Sequence, residues 1–485
     1  MITFNNADLK DRVYACWVGK NVGGTMGTPY EGKRDLLDIK GFVTEPGVVL
    51  PNDDLDLQLV WLCAVERHGA NVVNSHVLGD YWLNFVSPNW NEYGIGKSNM
   101  RLGLLPPLSG DYKNDWKDSN GAWIRTEVWA CMAPGAPDVA IKYACEDASV
   151  DHGMGEGTYA AIFVAALESA AFVVKDIRKL IDIGLSKIPD GCRVKQSVKL
   201  VCDCYDKGIE WKQARQMVID DSADLGWFEA PANVAYVILG LLYGEGDFKQ
   251  SMIYAIDCGD DTDCTGATIG SIMGILGGTE YIPADWKEHI GDGITTVSVD
   301  KGCLYGVPKT CTELTNRVMS QIPKMLSFNS AWGININGTE NKADDADISK
   351  FYGGAFAQDL CARPGKSFDL DFINFSARII FDADPTVEPN GEVPMRILFK
   401  AGIGNRPRHL KLDWYLPEGW SVKGVKKEVY LPNTRPSVAT EPRSAAEIAF
   451  AVVAGEKVDF RNNIVLSVSI EGHPKPALIP ITILG

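Results

Sequence analysis

The 485-residue sequence predicts a multi-domain α and β protein, helical to about residue 330 and a β-sandwich from 366 to 485, with 331–365 as a linker or irregular segment. Before residue 330 apolar residues recur three and four apart, as on helices with one buried stripe. Beyond it they alternate with polar ones, as on half-buried strands. With 46% hydrophobic residues the chain can fill at least two cores.

In chain order, helical patterns run over 9–27, 55–68, 158–175, 233–243, 248–258, 265–277 and 312–326. The polar stretch 335–350, with Asp344, Asp345 and Asp347, reads as a surface loop whose acids are solvated. After it, Leu410, Leu412, Trp414 and Leu416 share one strand face, and Ile464, Leu466, Val468 and Ile470 another. Pro389-Asn390-Gly391, Pro417-Glu418-Gly419 and Pro432-Asn433 supply turns at the spacing of a sandwich.

Two of these helices are headed by knots of acids, Asn52-Asp53-Asp54-Leu55-Asp56 and Gly259-Asp260-Asp261-Thr262-Asp263-Cys264. One or two carboxylates at a helix start cap free N–H groups and meet the positive end of the dipole. Three acids within five residues, in both places, exceed that need, because like charges so close repel unless a cation neutralises them. Oxygen donors of this kind suit Mg²⁺, Mn²⁺ or Ca²⁺. In the second helix Gly266, Gly270 and Gly274 leave one stripe without side chains, so another backbone can approach it closely.

Charge and composition narrow the function. Against 63 acidic residues stand 47 basic ones, a formal charge of −16, which argues against nonspecific binding to nucleic acid or an anionic membrane. The start has no basic and apolar leader and no segment is apolar enough to span a bilayer, so a soluble, cytoplasmic protein is expected. The twelve cysteines sit in apolar segments and read as reduced core residues; Cys202-Asp203-Cys204 lacks zinc-site spacing. There is no nucleophile elbow and no P-loop.

Gly19, Gly23-Gly24 and Gly27, Thr28-Pro29-Tyr30-Glu31, Asn52-Asp53-Asp54, Ser119-Asn120-Gly121-Ala122-Trp123-Ile124-Arg125, Asp151-His152 and Asp261-Thr262-Asp263-Cys264 follow in order over roughly 8–327. This set resembles the motifs of the ADP-ribosylglycohydrolase family, of the dinitrogenase-reductase-activating glycohydrolase-like kind. The resemblance implies an all-α orthogonal bundle holding two Mg²⁺ or Mn²⁺ ions at the bottom of a cleft. It implies Asp53, Asp54, Asp261 and Asp263 as metal ligands, with Asn52 offering an amide oxygen where the family carries threonine. Cys264 stands where the family carries a hydroxyl. A thiol suits a hard cation poorly, so either water with Asp56 or Asp260 completes the shell or one metal position is weaker.

The resemblance further implies that Glu31 reaches the metal and the scissile bond, joining Asp54 and Asp261 as catalytic groups. It implies that Ser119, Asn120 and Gly121 cradle ribose and phosphates and that His152 lines the cleft. Glu156, in the flexible run Gly153-Met154-Gly155-Glu156-Gly157, is a second candidate acid. Trp123 could stack on a sugar or base beside that loop, with Arg125 the nearby cation.

These parts suit hydrolysis of a glycosidic bond, with metals orienting sugar hydroxyls and a carboxylate moving a proton. ADP-ribosyl N- or O-glycosides are the leading substrates. A plain glycoside or nucleoside is the alternative, and so is a non-catalytic metal-dependent binder of sugars or nucleotides. The C-terminal sandwich weakly resembles modules appended to carbohydrate-active enzymes.

Overall fold

A computed structural model describes residues 1–331, 333–343, 346–402, 407–432 and 445–485; Asp344, Asp345 and Asn433 lie outside these. The chain divides into two units, Met1–Gly94 with Asn114–Arg363 and Ile95–Lys113 with Pro364–Gly485.

The first unit is helical where the spacing predicts it, at Asn6–Gly27, Asp53–His68, Glu156–Ala171, Ala230–Tyr243, Phe248–Asp257, Thr262–Gly277 and Cys311–Phe328. Side-chain caps set several starts: Asn5 accepts from the amides of Ala7 and Asp8, and Thr310 from that of Glu313. The helix expected over 158–175 stops at Ala171, where the amides of Val173 and Val174 both turn back to the Ala170 carbonyl. Among the described residues no helix is long and apolar enough to cross a membrane. Most of the twelve cysteines are buried.

The glycine stripe explains how the two acid-bearing ends meet. Helices Asn6–Gly27 and Thr262–Gly277 run antiparallel in backbone contact, facing each other in the pairs Ala15 and Gly274, Gly19 and Gly270, Gly23 and Gly266, Gly27 and Thr262. A Cβ on Gly19 would lie 2.1 Å from the Gly270 carbonyl oxygen, and one on Gly27 2.2 Å from that of Thr262. Only glycine permits this approach. It puts the C-terminal end of the first helix, and Glu31 just beyond it, against the N-terminal end of the helix that carries Asp263.

Strands are β1 (Ile2–Asn5), β2 (Ile334–Gly338), β3 (Ser367–Asp371), β4 (Phe375–Phe381), β5 (Glu392–Ala401), β6 (Arg408–Tyr415), β7 (Ser421–Lys423), β8 (Glu428–Leu431), β9 (Ala445–Val453), β10 (Arg461–Ile470) and β11 (Ala477–Leu484). The segment 331–365, read from sequence as linker or irregular, holds β2 and a helix at Ala355–Cys361; β2 pairs in parallel with β1. A partner at the far end of the helical region leaves no mark in a local polar pattern. Asp347 is exposed and accepts from the Ser349 amide.

In the second unit the strand orders are β11-β10-β6-β8 and β3-β4-β5-β9-β7, with antiparallel neighbours throughout, consistent with a β-sandwich. The two strand faces read from sequence meet in register: Leu466 opposite Trp414, Val468 opposite Leu412, Ile470 opposite Leu410. Leu410, Ile464, Leu466 and Val468 are fully buried in the core of this unit.

Candidate active site

A cavity of about 400 Å³ opens at the meeting point of the two acidic helix ends, and Glu31, Asp53, Glu92, Gly121, Asp261, Asp263 and Cys264 line it. Each wall has a traceable cause. Thr28 Oγ1 donates to the Gly24 carbonyl and Thr262 Oγ1 to that of Gly27, fastening the end of the first helix. The chain then turns at Glu31 and is held to the second cluster by two backbone bonds, Gly32 N to Asp260 O at 2.9 Å and Asp260 N to Lys33 O at 2.8 Å. Gly259 and Asp260 adopt φ of 81° and 62°, the tight left-handed turn that reverses the chain just before Asp261.

Asp261 is the most braced of the acids. Its amide donates to Asn233 Oδ1, its Oδ2 accepts from Asn120 Nδ2 at 2.7 Å, and Asn120 Oδ1 accepts from the indole of Trp123. Asn233 also donates to the carbonyls of Trp227 and Glu229, tying the aromatic wall of Trp227 and Phe228 to the same acid. On the other side, Asn52 Oδ1 caps the Asp53–His68 helix by accepting from the Asp54 amide, and Asp53 Oδ2 accepts from the Tyr93 hydroxyl at 2.7 Å.

The electrostatics are those of acids crowded away from water. Burial raises Asp54 well above the carboxylate range, opposed by Lys20 and reinforced by Asp263. Burial, then Asp261 and Glu31, does the same to Asp263, and burial pushes Asp261 to about 7. Glu31 is raised by burial of its carboxyl and then by Asp53, although the residue keeps an exposed edge. Both carboxylate oxygens of Asp54 and Oδ1 of Asp263 are buried without a hydrogen-bond donor. Two groups of ligand atoms lie within 4.8 Å of one another: Glu31, Asp261 and Asp263, and Asp54, Asp263 and Cys264. Donorless buried carboxylates fit a divalent cation, whose charge would offset the repulsion.

The other residues marked from sequence lie elsewhere. Ser119, Asn120 and His152 are buried behind the wall: His152 Nε2 sits 3.1 Å from Ser119 Oγ, and Nδ1 sits 3.0 Å from an oxygen of Asp151. The amides of Ser119 and Asn120 donate to the carbonyls of Trp116 and Phe228. Glu156 accepts from the amides of Arg193 and Val194, capping the Arg193–Asp206 helix away from the cavity. Asp56 accepts from the amides of Val297 and Ser298, and Asp260 from Arg34, so neither joins the donor groups. Trp123 is fully buried and cannot stack on a ligand; the cavity's own aromatic rings are Trp90, Tyr93, Trp227 and Phe228. Arg125 is fully buried, bonded to Asp147, Asp151 and the Gly121 carbonyl.

Sequence reading missed Glu92, Tyr93 and Asn233. Nothing local marks them; Glu92 and Tyr93 open an ordinary polar helix, Asn91–Arg101.

Residues 5–319 match the model of the ADP-ribosylglycohydrolase family. The chain belongs to this family. Among solved structures it is similar to an "ADP-ribosylglycohydrolase-related protein complex", at 18% identity over 66% of this chain and 99% of that one, with a TM-score of 0.40. It is also similar to a FixG-related protein from Vibrio parahaemolyticus, at 9% identity over 23% of this chain and 95% of that one, TM-score 0.18. The GAE domain of GGA2p from Saccharomyces cerevisiae is similar at 9% identity, over 24% of this chain and 96% of that one, TM-score 0.17. No curated protein matches. Membership supports a glycosyl hydrolase function, and the family is typically metal-dependent.

Proposed function

We propose that this member of the ADP-ribosylglycohydrolase family is a metal-dependent hydrolase of ADP-ribosyl N- or O-glycosides, with Mg²⁺ or Mn²⁺ held at two positions by Asp53, Asp54, Asp261, Asp263 and Glu31. The observation that carries the metal requirement is the set of buried, donorless oxygens on Asp54 and Asp263 beside the cavity. When bound, the cations would orient sugar hydroxyls and make a bound water more acidic. The protein's own groups do the rest. Asn120 and Asn233 fix Asp261 at the cavity wall, and the Tyr93 hydroxyl fixes Asp53. Glu31, which lines the cavity and whose carboxyl is raised by burial and then by Asp53, is suited to move a proton at the leaving group. The aromatic rings of Trp90, Trp227 and Phe228 offer an apolar wall for a sugar or base.

A specific observation favours a second reading, a plain glycoside or nucleoside. Five carboxylates line the cavity, Glu31, Asp53, Glu92, Asp261 and Asp263, and no Lys or Arg does so among the described residues. The nearby Arg125 and Lys20 are buried and committed to Asp147, Asp151 and Glu127. A diphosphate would therefore rest on cations alone. The deciding experiment assays ADP-ribosyl-arginine, ADP-ribosyl-serine, nucleosides and aryl glycosides with Mg²⁺ and with Mn²⁺. Release of ADP-ribose supports the first reading; cleavage confined to uncharged glycosides selects the second; no cleavage of any substrate leaves a binding protein.

A further inference from the structure

The two donor groups beside the cavity are chemically unequal. Glu31, Asp261 and Asp263 offer oxygens only, whereas Asp54, Asp263 and Cys264 offer two carboxylates and a thiol, all three buried. Asp263 belongs to both groups. The second group carries an independent observation: Asp54 is 1% exposed, yet neither of its carboxylate oxygens has a hydrogen-bond donor, and Asp263 Oδ1 is in the same state. Its thiol is not a distant bystander, because Cys264 itself lines the cavity.

Donor type decides which cation such a pocket keeps. Mg²⁺ demands oxygen ligands and sheds its water reluctantly, so replacing one oxygen by sulfur lowers its hold. A borderline-soft ion such as Zn²⁺ gains from the same exchange and binds mixed oxygen and sulfur sets well. We propose that the Asp54, Asp263 and Cys264 position takes a thiophilic divalent cation, Zn²⁺, while the Glu31, Asp261 and Asp263 position takes a hard one, Mg²⁺ or Mn²⁺. The inference rests on the metal-dependent reading above and changes the cation at one of its two positions: the two donor groups, which share Asp263, would hold unlike ions.

The test uses binding and spectroscopy of the full chain, stripped of metal and then titrated with Zn²⁺, Mg²⁺ or, as a coloured stand-in for zinc, Co²⁺. The expected results are calorimetric binding of Zn²⁺ and a near-ultraviolet thiolate-to-cobalt charge-transfer band. Cys264→Ser should abolish that band and raise the Zn²⁺ Kd by at least about 10-fold, the lower end of what losing even a supporting partner of a metal costs. Mg²⁺ binding should be unchanged in the same variant. Asp261→Asn should do the reverse, weakening Mg²⁺ and keeping the cobalt band; far-UV circular dichroism checks that both variants fold. A band that survives Cys264→Ser, or Mg²⁺ that displaces Zn²⁺ at equal concentration, overturns the inference and leaves a metal-dependent hydrolase standing. Failure of every cation to bind overturns both.

Discussion

Gly23 and Gly266 meet backbone to backbone: a Cβ on Gly23 would lie 1.9 Å from the Gly266 carbonyl oxygen, and one on Gly266 would lie 2.8 Å from that of Gly23. This contact joins the sequence pattern to the chemistry, because the same crossing carries Glu31 to Asp261 and Asp263.

Gly23→Ala should therefore destabilise the protein by about 1–3 kcal/mol or more, since the clashing atoms are backbone and cannot step aside. Gly274→Ala, which clashes with the Ala15 carbonyl oxygen at 2.3 Å at the far end of the crossing, should cost a comparable amount. The two should part company in cation titrations: Gly23→Ala weakens binding because it spreads the acid-bearing ends, and Gly274→Ala does so much less. Equal binding by both variants would separate the crossing from the site.

Part of this was legible in the sequence because it is local. Acids heading a helix, and glycines four apart within one, are patterns a single segment displays. The strand faces of Leu410, Leu412, Ile464 and Leu466 were legible for the same reason. What escaped depends on where the fold turns each side chain, which a local pattern does not display. Asp56 looks like a third acid of the knot, yet it anchors the amides of Val297 and Ser298. Trp123 follows a loop and invites a stacking role, yet its indole is spent on Asn120. His152 precedes a glycine-rich run that holds Glu156, and each is turned to internal hydrogen bonding.

Asp54→Asn should raise stability in chelator and abolish the gain from metal. The buried Asp54 carboxyl has no donor for either oxygen, and its pKa is raised, first by burial. Holding that carboxyl charged in the folded protein is therefore unfavourable, and a neutral amide removes the opposition. With cation at 100 times its Kd the wild-type protein gains about 2.7 kcal/mol by mass action, and the variant should gain almost none. Melts with and without chelator read both effects; an unchanged metal increment in Asp54→Asn would remove this residue from the metal shell.

Glu31→Gln should lower the chemical step by about 10²–10⁴-fold, the scale of a lost general acid or base, while substrate affinity at saturating metal stays near wild type. The amide keeps the shape of the side chain and cannot exchange the proton. Single-turnover rates set beside calorimetric affinities decide it. A near-normal rate would shift proton transfer to Glu92, the buried acid across the cavity whose Oε2 has no donor.

Asn120→Ala should cost about 1–3 kcal/mol, because it strands the buried indole N–H of Trp123 and removes the donor to Asp261 Oδ2. Asn120→Asp keeps an acceptor for Trp123 but places a second carboxylate against Asp261. Its stability should recover in part with metal, and its turnover should stay low. Should Asn120→Asp turn over like wild type, Asn120 does not position Asp261.

The last prediction concerns pH. Glu229 precedes the Ala230–Tyr243 helix, and its carboxyl is raised from 4.5 to about 7, first by burial and then by Asp118. A folded-state pKa above the unfolded one means the native protein binds the proton more tightly. The stability this proton confers is full below about 4.5 and is lost as the pH rises through about 7. Glu229→Gln carries a permanently neutral group of the same size, so it should melt like wild type at pH 4.5 and progressively higher than wild type up to pH 8. Asp118 should reproduce part of the effect when changed to Asn, since it supplies the like charge. Paired melts across this range, in chelator so that the acid cluster's titration is common to both proteins, give the difference curve. A difference that does not vary with pH would mean that Glu229 titrates in the native protein as it does in the unfolded chain.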